Sequence, residues 1–177
     1  FGWQIAESEN LEADDILGSL ANVETEAGGT TLVMTGDRDM FQTASEAVTV
    51  LYVSTGKQGG QLVDPAEVKK RYGVGPELVP DFIALRGDPS DGIPGGKGIG
   101  EKTAADLLKR HGSLDAVLDN AIREATPRLR GTLTEQREEL LTFREIARLQ
   151  DAKVTRPPDG ETDFAAAAQA ARDYGMN

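Results

Sequence analysis

This sequence predicts an α/β fold: a parallel sheet flanked by helices, with a helix–hairpin–helix module after it. Three observations carry the prediction. The runs Thr30-Thr31-Leu32-Val33-Met34 and Val48-Thr49-Val50-Leu51-Tyr52-Val53 have the length and β-branched content of buried strands. Helical apolar spacing alternates with them, the succession that builds parallel sheets. From Gly87 to Gly100 the chain is too rich in Gly, Pro and Asp to be anything but a loop, and helical segments stand on both sides of it.

The elements follow in order. Leu11, Ile16, Leu17 and Leu20 give an amphipathic helix over residues 11–21, broken by Gly28-Gly29. The strand 30–34 lacks polar alternation, so it is expected in the middle of the sheet, buried on both faces. After the strand 48–53, Asp64-Pro65 places an N-cap before a first-turn proline and opens a helix to Tyr72. A shorter helix runs from Glu77 to Leu85 with Pro80 tolerated in its first turn. Beyond the loop, a helix from Glu101 to Arg110 stops at Gly112, and Ser113 caps another to Ile122. Residues 134–149 read as one charged amphipathic helix, and Asp163 to Tyr174 as a last, alanine-rich one.

At 177 residues the chain can bury a sizeable core. No apolar run approaches the ~18–20 residues of a membrane span, and residues 1–9 carry no signal-peptide pattern. With no cysteine there is neither a disulfide nor a thiolate metal site. The net charge of −11 argues at first against a polyanionic partner, but its distribution reverses that impression. Residues 1–92 carry a balance of −10, residues 93–130 of +2 and residues 131–177 of −3. Acid fills the first half, and a locally basic, glycine-rich stretch follows it.

The acid lies in three clusters: Glu12-Ala13-Asp14-Asp15 at a helix start, Asp37-Arg38-Asp39 after the first strand, and Asp88-Pro89-Ser90-Asp91 in the long loop. Three residues apart, Glu12 and Asp15 share a helix face, with Asp14 projecting elsewhere unless the helix end bends it inward. Asp37 and Asp39 stand where a parallel strand releases the chain, the edge at which open α/β sheets bind ligands. Seven carboxylates gathered there could not all ionise, because like charges disfavour the charged form. Two divalent cations about 4 Å apart would resolve the conflict and could drive in-line displacement at phosphorus. Mg²⁺ or Mn²⁺ suits a site made of oxygen ligands alone. Taken singly, each cluster is ordinary capping or turn chemistry. Three together, one at a strand's exit, are not.

The loop's second half, Gly95-Gly96-Lys97-Gly98-Ile99-Gly100-Glu101-Lys102-Thr103, has Glu101 where a nucleotide-binding P-loop requires lysine. It fits a helix–hairpin–helix instead. Glycines let a turn approach a phosphate, and the amides opening the next helix point at it, with Lys97 and Lys102 adding charge. Such a grip is independent of base sequence. His111 ends a helix, where the dipole explains it, while Trp3 and Tyr72 read as packing residues.

Together these motifs resemble the 5′ nuclease family, the flap endonucleases and the 5′–3′ exonuclease domains of bacterial DNA polymerases. The likeness rests on Glu12-Ala13-Asp14-Asp15, Thr35-Gly36-Asp37-Arg38-Asp39, Gly87-Asp88 with Asp91-Gly92-Ile93-Pro94-Gly95, and Gly98-Ile99-Gly100-Glu101-Lys102-Thr103-Ala104. It implies a PIN-like core over residues 1–84, a DNA-binding module over 85–147 and a return to the core over 148–177. It implies metal binding by Glu12, Asp14, Asp15, Asp37, Asp39, Asp88 and Asp91, with Asp15, Asp37 and Asp39 catalytic. Backbone carbonyls of Pro94, Gly96 and Ile99 would hold a monovalent cation such as K⁺. Arg38, Gly95, Lys97, Gly98, Gly100, Lys102 and Thr103 would contact DNA. The implied activity is two-metal hydrolysis of DNA bearing a 5′ end, flap or nick, by a monomer in the bacterial cytoplasm, at the nucleoid and away from membranes. The family's first strand, with its metal-binding Asp, and its helical arch have no counterpart in this sequence. The expectation is therefore of further chain before Phe1, on the order of a hundred residues. A DNA-structure-binding protein without turnover and a PIN-type ribonuclease are the competing readings, and the hairpin argues against the latter.

Overall fold

The computed structural model describes residues 3–53, 59–124 and 126–176. Helix α1 (Ala13–Glu26) opens at Glu12, whose amide donates to the Asp15 carboxylate at 3.1 Å. It leads into β1 (Thr31–Thr35), a 3₁₀ turn at Asp39–Thr43, and β2 (Val48–Tyr52). β1 and β2 pair in parallel with Val33 opposite Val50, as the strand–helix succession predicts. A third strand, β3 (Gln61–Val63), then adds to the edge of β2 in the antiparallel sense. The sheet is therefore mixed rather than wholly parallel. At three residues, β3 is too short to show a hydrophobic period.

Val33, Val48, Val50 and Val63 point to the covered face. On the other face Leu32 is 57% exposed and Met34 64%, beside the exposed Leu62. The expectation that β1 is central and doubly buried is thus not met. Among the described residues it is an edge strand, and no described element lies over its second face. An unbroken apolar run was misleading here because burial depends on what covers a strand, which its own residues do not encode.

Helix α2 (Pro65–Tyr72) has the predicted ends: Asp64 accepts from the Glu67 amide at 2.8 Å, and Gly73 closes it in the left-handed conformation at φ 74°. Helix α3 (Val79–Arg86) follows a 3₁₀ turn, and every residue from Val79 to Leu85 is buried. It packs against α4 (Glu101–His111) and against α7 (Arg137–Ala147). Between them lie α5 (Leu114–Asp119), capped by Ser113, and α6 (Pro127–Glu135). The last element is α8 (Phe164–Asp173). The predicted helix 134–149 is α7, which begins after Gln136; residues 134 and 135 end α6, a helix that went unpredicted.

One core runs from Phe41, Val50 and Val63 through Tyr72 and Phe82 to Leu107, Leu114, Leu133 and Leu140. The expected boundary between residues 84 and 85 falls inside α3, in the middle of that core. After α7 the chain returns over α1. Leu149 N–H donates to Gln42 Oε1 at 3.2 Å, Gln150 N–H to Asp15 Oδ1 at 2.7 Å and Ala152 N–H to Ser19 Oγ at 2.8 Å. Arg156 pairs with Glu24 at 2.7 Å. Among the described residues, no helix is long and apolar enough to cross a membrane.

Candidate active site

Three segments far apart in sequence bring their carboxylates to one region: the start of α1, the exit of β1, and the loop after α3. Asp14 shows the convergence. Its carboxyl is pushed up by burial first, then by the negative charges of Asp37, Glu12, Asp15 and Asp91. Asp39, at the head of the 3₁₀ turn, is pushed up to about 7 by burial and by Asp14 and Asp91, although its oxygen accepts the Met40 amide at 2.8 Å. Asp91 is raised by burial and then by Asp88, Asp37 and Glu12. The crowding predicted from sequence is present, and each segment contributes to it.

Helical spacing puts Asp15 on one face of α1 with Glu12. Asp15 is 8% exposed, and both of its oxygens accept main-chain amides, from Glu12 and Gln150. It ties the helix start to the returning chain. Asp14, the member left aside by the spacing, is the one whose neighbours are Asp37 and Asp91.

The loop after α3 is closed by a pair of main-chain bonds, Asp88 to Ile93 and Ile93 to Asp88, each 2.8 Å. Inside it, Asp88 is 6% exposed and accepts from the Ser90 amide and hydroxyl. Its second oxygen pairs with Arg86 at 3.2 Å. The Arg86 guanidinium lies 5.2 Å from the Phe82 ring centre and 5.6 Å from that of Tyr72, and its Nε donates to the Gly87 carbonyl. Sequence reasoning passed over Arg86. Its position directly before Gly87-Asp88 was the available signal. Asp37 is exposed, its amide bonded to Thr35 Oγ1, while Arg38 turns its Nε to the Tyr52 hydroxyl at 3.2 Å. An open cleft of about 530 Å³ is lined by Asp37, Arg38, Tyr52, Arg86 and Asp88. A neighbouring one of about 270 Å³ is lined by Glu12, Asp14, Asp39 and Glu145. A larger cleft of about 790 Å³, between residues 4–11 and α1, lies away from Asp37, Asp39 and Asp88.

The donor set consists of carboxylate oxygen throughout, the chemistry of hard divalent cations. Among the described residues no three of these groups stand close enough to enclose one ion. The chemistry of the donor set fits a hard divalent cation.

The hairpin is fixed to α3 by its own backbone. Gly96 N–H donates to the Leu85 carbonyl at 2.9 Å, and Ile99 N–H to the Gly96 carbonyl at 2.8 Å. At Gly95 (φ 71°) an added methyl carbon would stand 2.4 Å from the Gly87 nitrogen, so this approach requires glycine. Gly100 caps α4 with no side chain, leaving the first amides near Lys102 and Thr103 without a side-chain acceptor from their cap. Lys97 and Lys102 are exposed, Pro94 is exposed, and Ile99 is buried. Lys97 is held by its main chain, its N–H donating to Gln136 Oε1 at 2.8 Å and its carbonyl accepting Thr132 Oγ1 at 2.9 Å. His111 contributes to the fold by more than a dipole: Nε2 lies 2.9 Å from Glu124, which also takes two bonds from Arg110. Tyr72 stacks on Phe82 at 4.8 Å, as packing predicts.

Comparison with known proteins agrees with this arrangement. The family model described as 5′-3′ exonuclease, N-terminal resolvase-like domain, matches residues 1–73. The one described as 5′-3′ exonuclease, C-terminal SAM fold, matches residues 74–165. The chain is 44% identical over 144 residues to the thermostable DNA polymerase I of Thermus filiformis, covering 81% of this chain and 17% of that protein. It is 43% identical over 141 residues to a 5′-3′ exonuclease of Mycobacterium tuberculosis, covering 76% of this chain and 44% of that protein. The chain thus spans less than half the length of these curated relatives. Among solved structures, the T5 5′-exonuclease with bound zinc matches at a TM-score of 0.70 and 18% identity, over 79% of this chain and 51% of that one. A T5 D15 flap endonuclease complex with DNA and metal ions matches at 0.71 and 17%, over 80% and 51%. At that identity the structural likeness speaks to fold alone.

Proposed function

The chain belongs to the 5′-3′ exonuclease family, and on that premise we propose that it forms the catalytic part of a divalent-metal-dependent nuclease acting on DNA with a 5′ end, flap or nick. One observation supports this reading above the others. Asp14, Asp39 and Asp91, from three distant segments, are each held back from ionising, by burial first and then by the negative charge of neighbouring carboxylates. Such crowding costs stability unless cations occupy it. The relatives named as exonucleases and bacterial DNA polymerases support the same reading; a place beside the bacterial chromosome is part of the proposal.

In this proposal Asp14, Asp37, Asp39 and Asp91 hold Mg²⁺ or Mn²⁺, with Glu12 and Asp88 completing the sites. Bound ions would supply an activated water and charge stabilisation for the departing oxygen. The protein's own groups do the rest. Asp15 fixes where α1 begins by tying Glu12 to Gln150. Arg86 orients Asp88 from a bed of Phe82 and Tyr72. Arg38, whose Nε donates to the Tyr52 hydroxyl, would meet the scissile phosphate. Gly95, Gly98, Gly100, Lys97, Lys102 and Thr103 grip duplex backbone without reading bases. The Pro94, Gly96 and Ile99 carbonyls are the proposed seat of a K⁺ ion in the hairpin.

The test offers flapped DNA, blunt duplex and single-stranded RNA, each with Mg²⁺ or with EDTA. Cleavage of flapped DNA that EDTA abolishes is the expected result. Preferential cleavage of RNA, or cutting undiminished by EDTA, would overturn the assignment.

A further inference from the structure

Every described arginine but one has a hydrogen bond or ion pair within the protein. Arg110 and Arg130 bind Glu124, Arg137 binds Asp119, Arg144 binds Asp115 and Arg86 binds Asp88. The exception among the described residues is Arg128, an exposed residue in the first turn of α6. Its guanidinium is nonetheless well placed. A methyl carbon added to Gly98 would lie 2.7 Å from its Nη2, 3.0 Å from Cζ and 3.0 Å from Nε. Three atoms at nearly one distance mean that the guanidinium plane lies flat against the glycine. The hairpin thus provides a platform on which an arginine rests while its donors remain unused.

Helix α6 is bound firmly enough to make that placement lasting. Thr132, 7% exposed, donates to the Lys97 carbonyl, and Gln136 accepts the Lys97 amide, so both main-chain groups of the residue before Gly98 are held from α6 and its end. Leu133 is fully buried, and Arg130 ties the helix start to the Glu124 carbonyl. A free, planar cation with up to five donors is suited to a phosphodiester, which it can engage through two parallel bonds. The surroundings agree in sign, since residues 93–130 are the net basic stretch of an acidic chain.

We propose that Arg128 is a duplex-phosphate contact supplied by α6 from outside the hairpin, and that Gly98 is needed as its platform as well as for its own left-handed turn (φ 79°). The contact rests on the DNA-binding reading above and adds to it a third element beside the hairpin and α4. It reads no base, so it adds affinity for any duplex and helps to set how far the gripped phosphate stands from the acidic cluster.

The experiment measures duplex and flap binding in Ca²⁺ from 50 to 200 mM salt, for the wild type, Arg128→Ala and Arg128→Lys, with kcat and KM in Mg²⁺. One lost phosphate contact should lower the log–log salt slope by ~0.9, so that Arg128→Ala loses about threefold less affinity than wild type across that salt range. KM should rise several-fold with kcat and melting midpoint unchanged, and Arg128→Lys should recover the slope. An unchanged slope for Arg128→Ala in a protein that binds and cuts flapped DNA overturns this inference and leaves the nuclease reading standing. A lowered slope accompanied by a lowered melting midpoint in both variants also overturns it, in favour of a structural arginine. A wild type that neither binds nor cuts DNA overturns both.

Discussion

Replacing Asp39 with asparagine should make the metal-free protein more stable while destroying its capacity to gain from metal. Asp39 sits at the head of the 3₁₀ turn after β1, partly buried, with Asp14 and Asp91 as negative neighbours. Burial and those charges move its carboxyl from 3.8 to about 7. At ~1.4 kcal/mol per tenfold change, the full displacement would correspond to about 4 kcal/mol. Water reaching the group and relaxation of its neighbours screen much of that, leaving ~1–2 kcal/mol. The folded-state value lies above the unfolded one, so the protonated group's contribution is fully present below about pH 4. It is lost as pH rises through about 7. At pH 8 in EDTA, wild type therefore bears an unfavourable charge that Asp39→Asn lacks, and asparagine's carbonyl can still accept the Met40 amide.

Melting curves at pH 5 and pH 8 in EDTA test this. At pH 8 the variant should melt higher by ~2–8 °C for a chain of this size, with roughly a third of that difference at pH 5. Saturating Mn²⁺ should raise the wild-type midpoint and reverse the order, because a ligand that binds only the folded form stabilises it by its occupancy. If Asp39→Asn melts lower than wild type at pH 8 in EDTA, the crowding argument is wrong.

Four other substitutions test three separate features. Asp37→Ala should remove most of kcat while leaving duplex affinity within a few-fold, since an exposed metal-holding acid acts mainly in the transition state; near-normal turnover at saturating Mg²⁺ would count against its role. Lys97→Ala and Lys102→Ala should each flatten the salt dependence of duplex binding by ~0.9 in log–log slope, equally for all sequences, and a change confined to particular sequences would rule out a backbone grip. Glu124→Gln should cost ~1–2 kcal/mol at neutral pH by weakening the contacts to Arg110 and His111. Arg110 holds the Glu124 carboxyl below its ordinary value, so its contribution is present above about pH 4.5 and lost as pH falls below that; a variant penalty that persists undiminished at pH 3 would refute this.

Much of the fold was legible where a local residue forces a local geometry. Asp64-Pro65 and Gly73 delimited α2, and Ser113 opened α5, because caps and left-handed closures depend on a few adjacent residues. The same signal was present at α6, where Thr126 accepts the Leu129 amide ahead of Pro127, and it was passed over. The open face of β1 and the sense of β3 were not legible, since both depend on partners elsewhere in the chain. At the site, the three acidic clusters were visible, but the choice between Asp14 and Asp15 was not. Helical angle favours Asp15 as Glu12's companion. It does accept the Glu12 amide, but its other oxygen is taken up by the Gln150 amide, from a segment 135 residues away, and no local period records that contact.

On the proposed function, the position of the hairpin relative to the acids would let an acidic protein act on a polyanion without reading its sequence. Asp88 stands two residues beyond the end of α3, and the hairpin folds back on that same end through the bond from Gly96 to Leu85 and the close approach of Gly95 to Gly87. Grip and cluster are therefore separated by a few residues of backbone, closed again by the paired bonds of Asp88 and Ile93. In the proposed reading, a phosphate held near Lys97 and Gly98 would fix by geometry which phosphodiester along the strand can meet Asp37 and Asp91. Base identity would not enter that distance, whereas the shape and ends of the DNA would. Selection of structure over sequence would then follow from the shortness of this tie. The buried α3, gripped by α4 and α7, keeps the tie from lengthening.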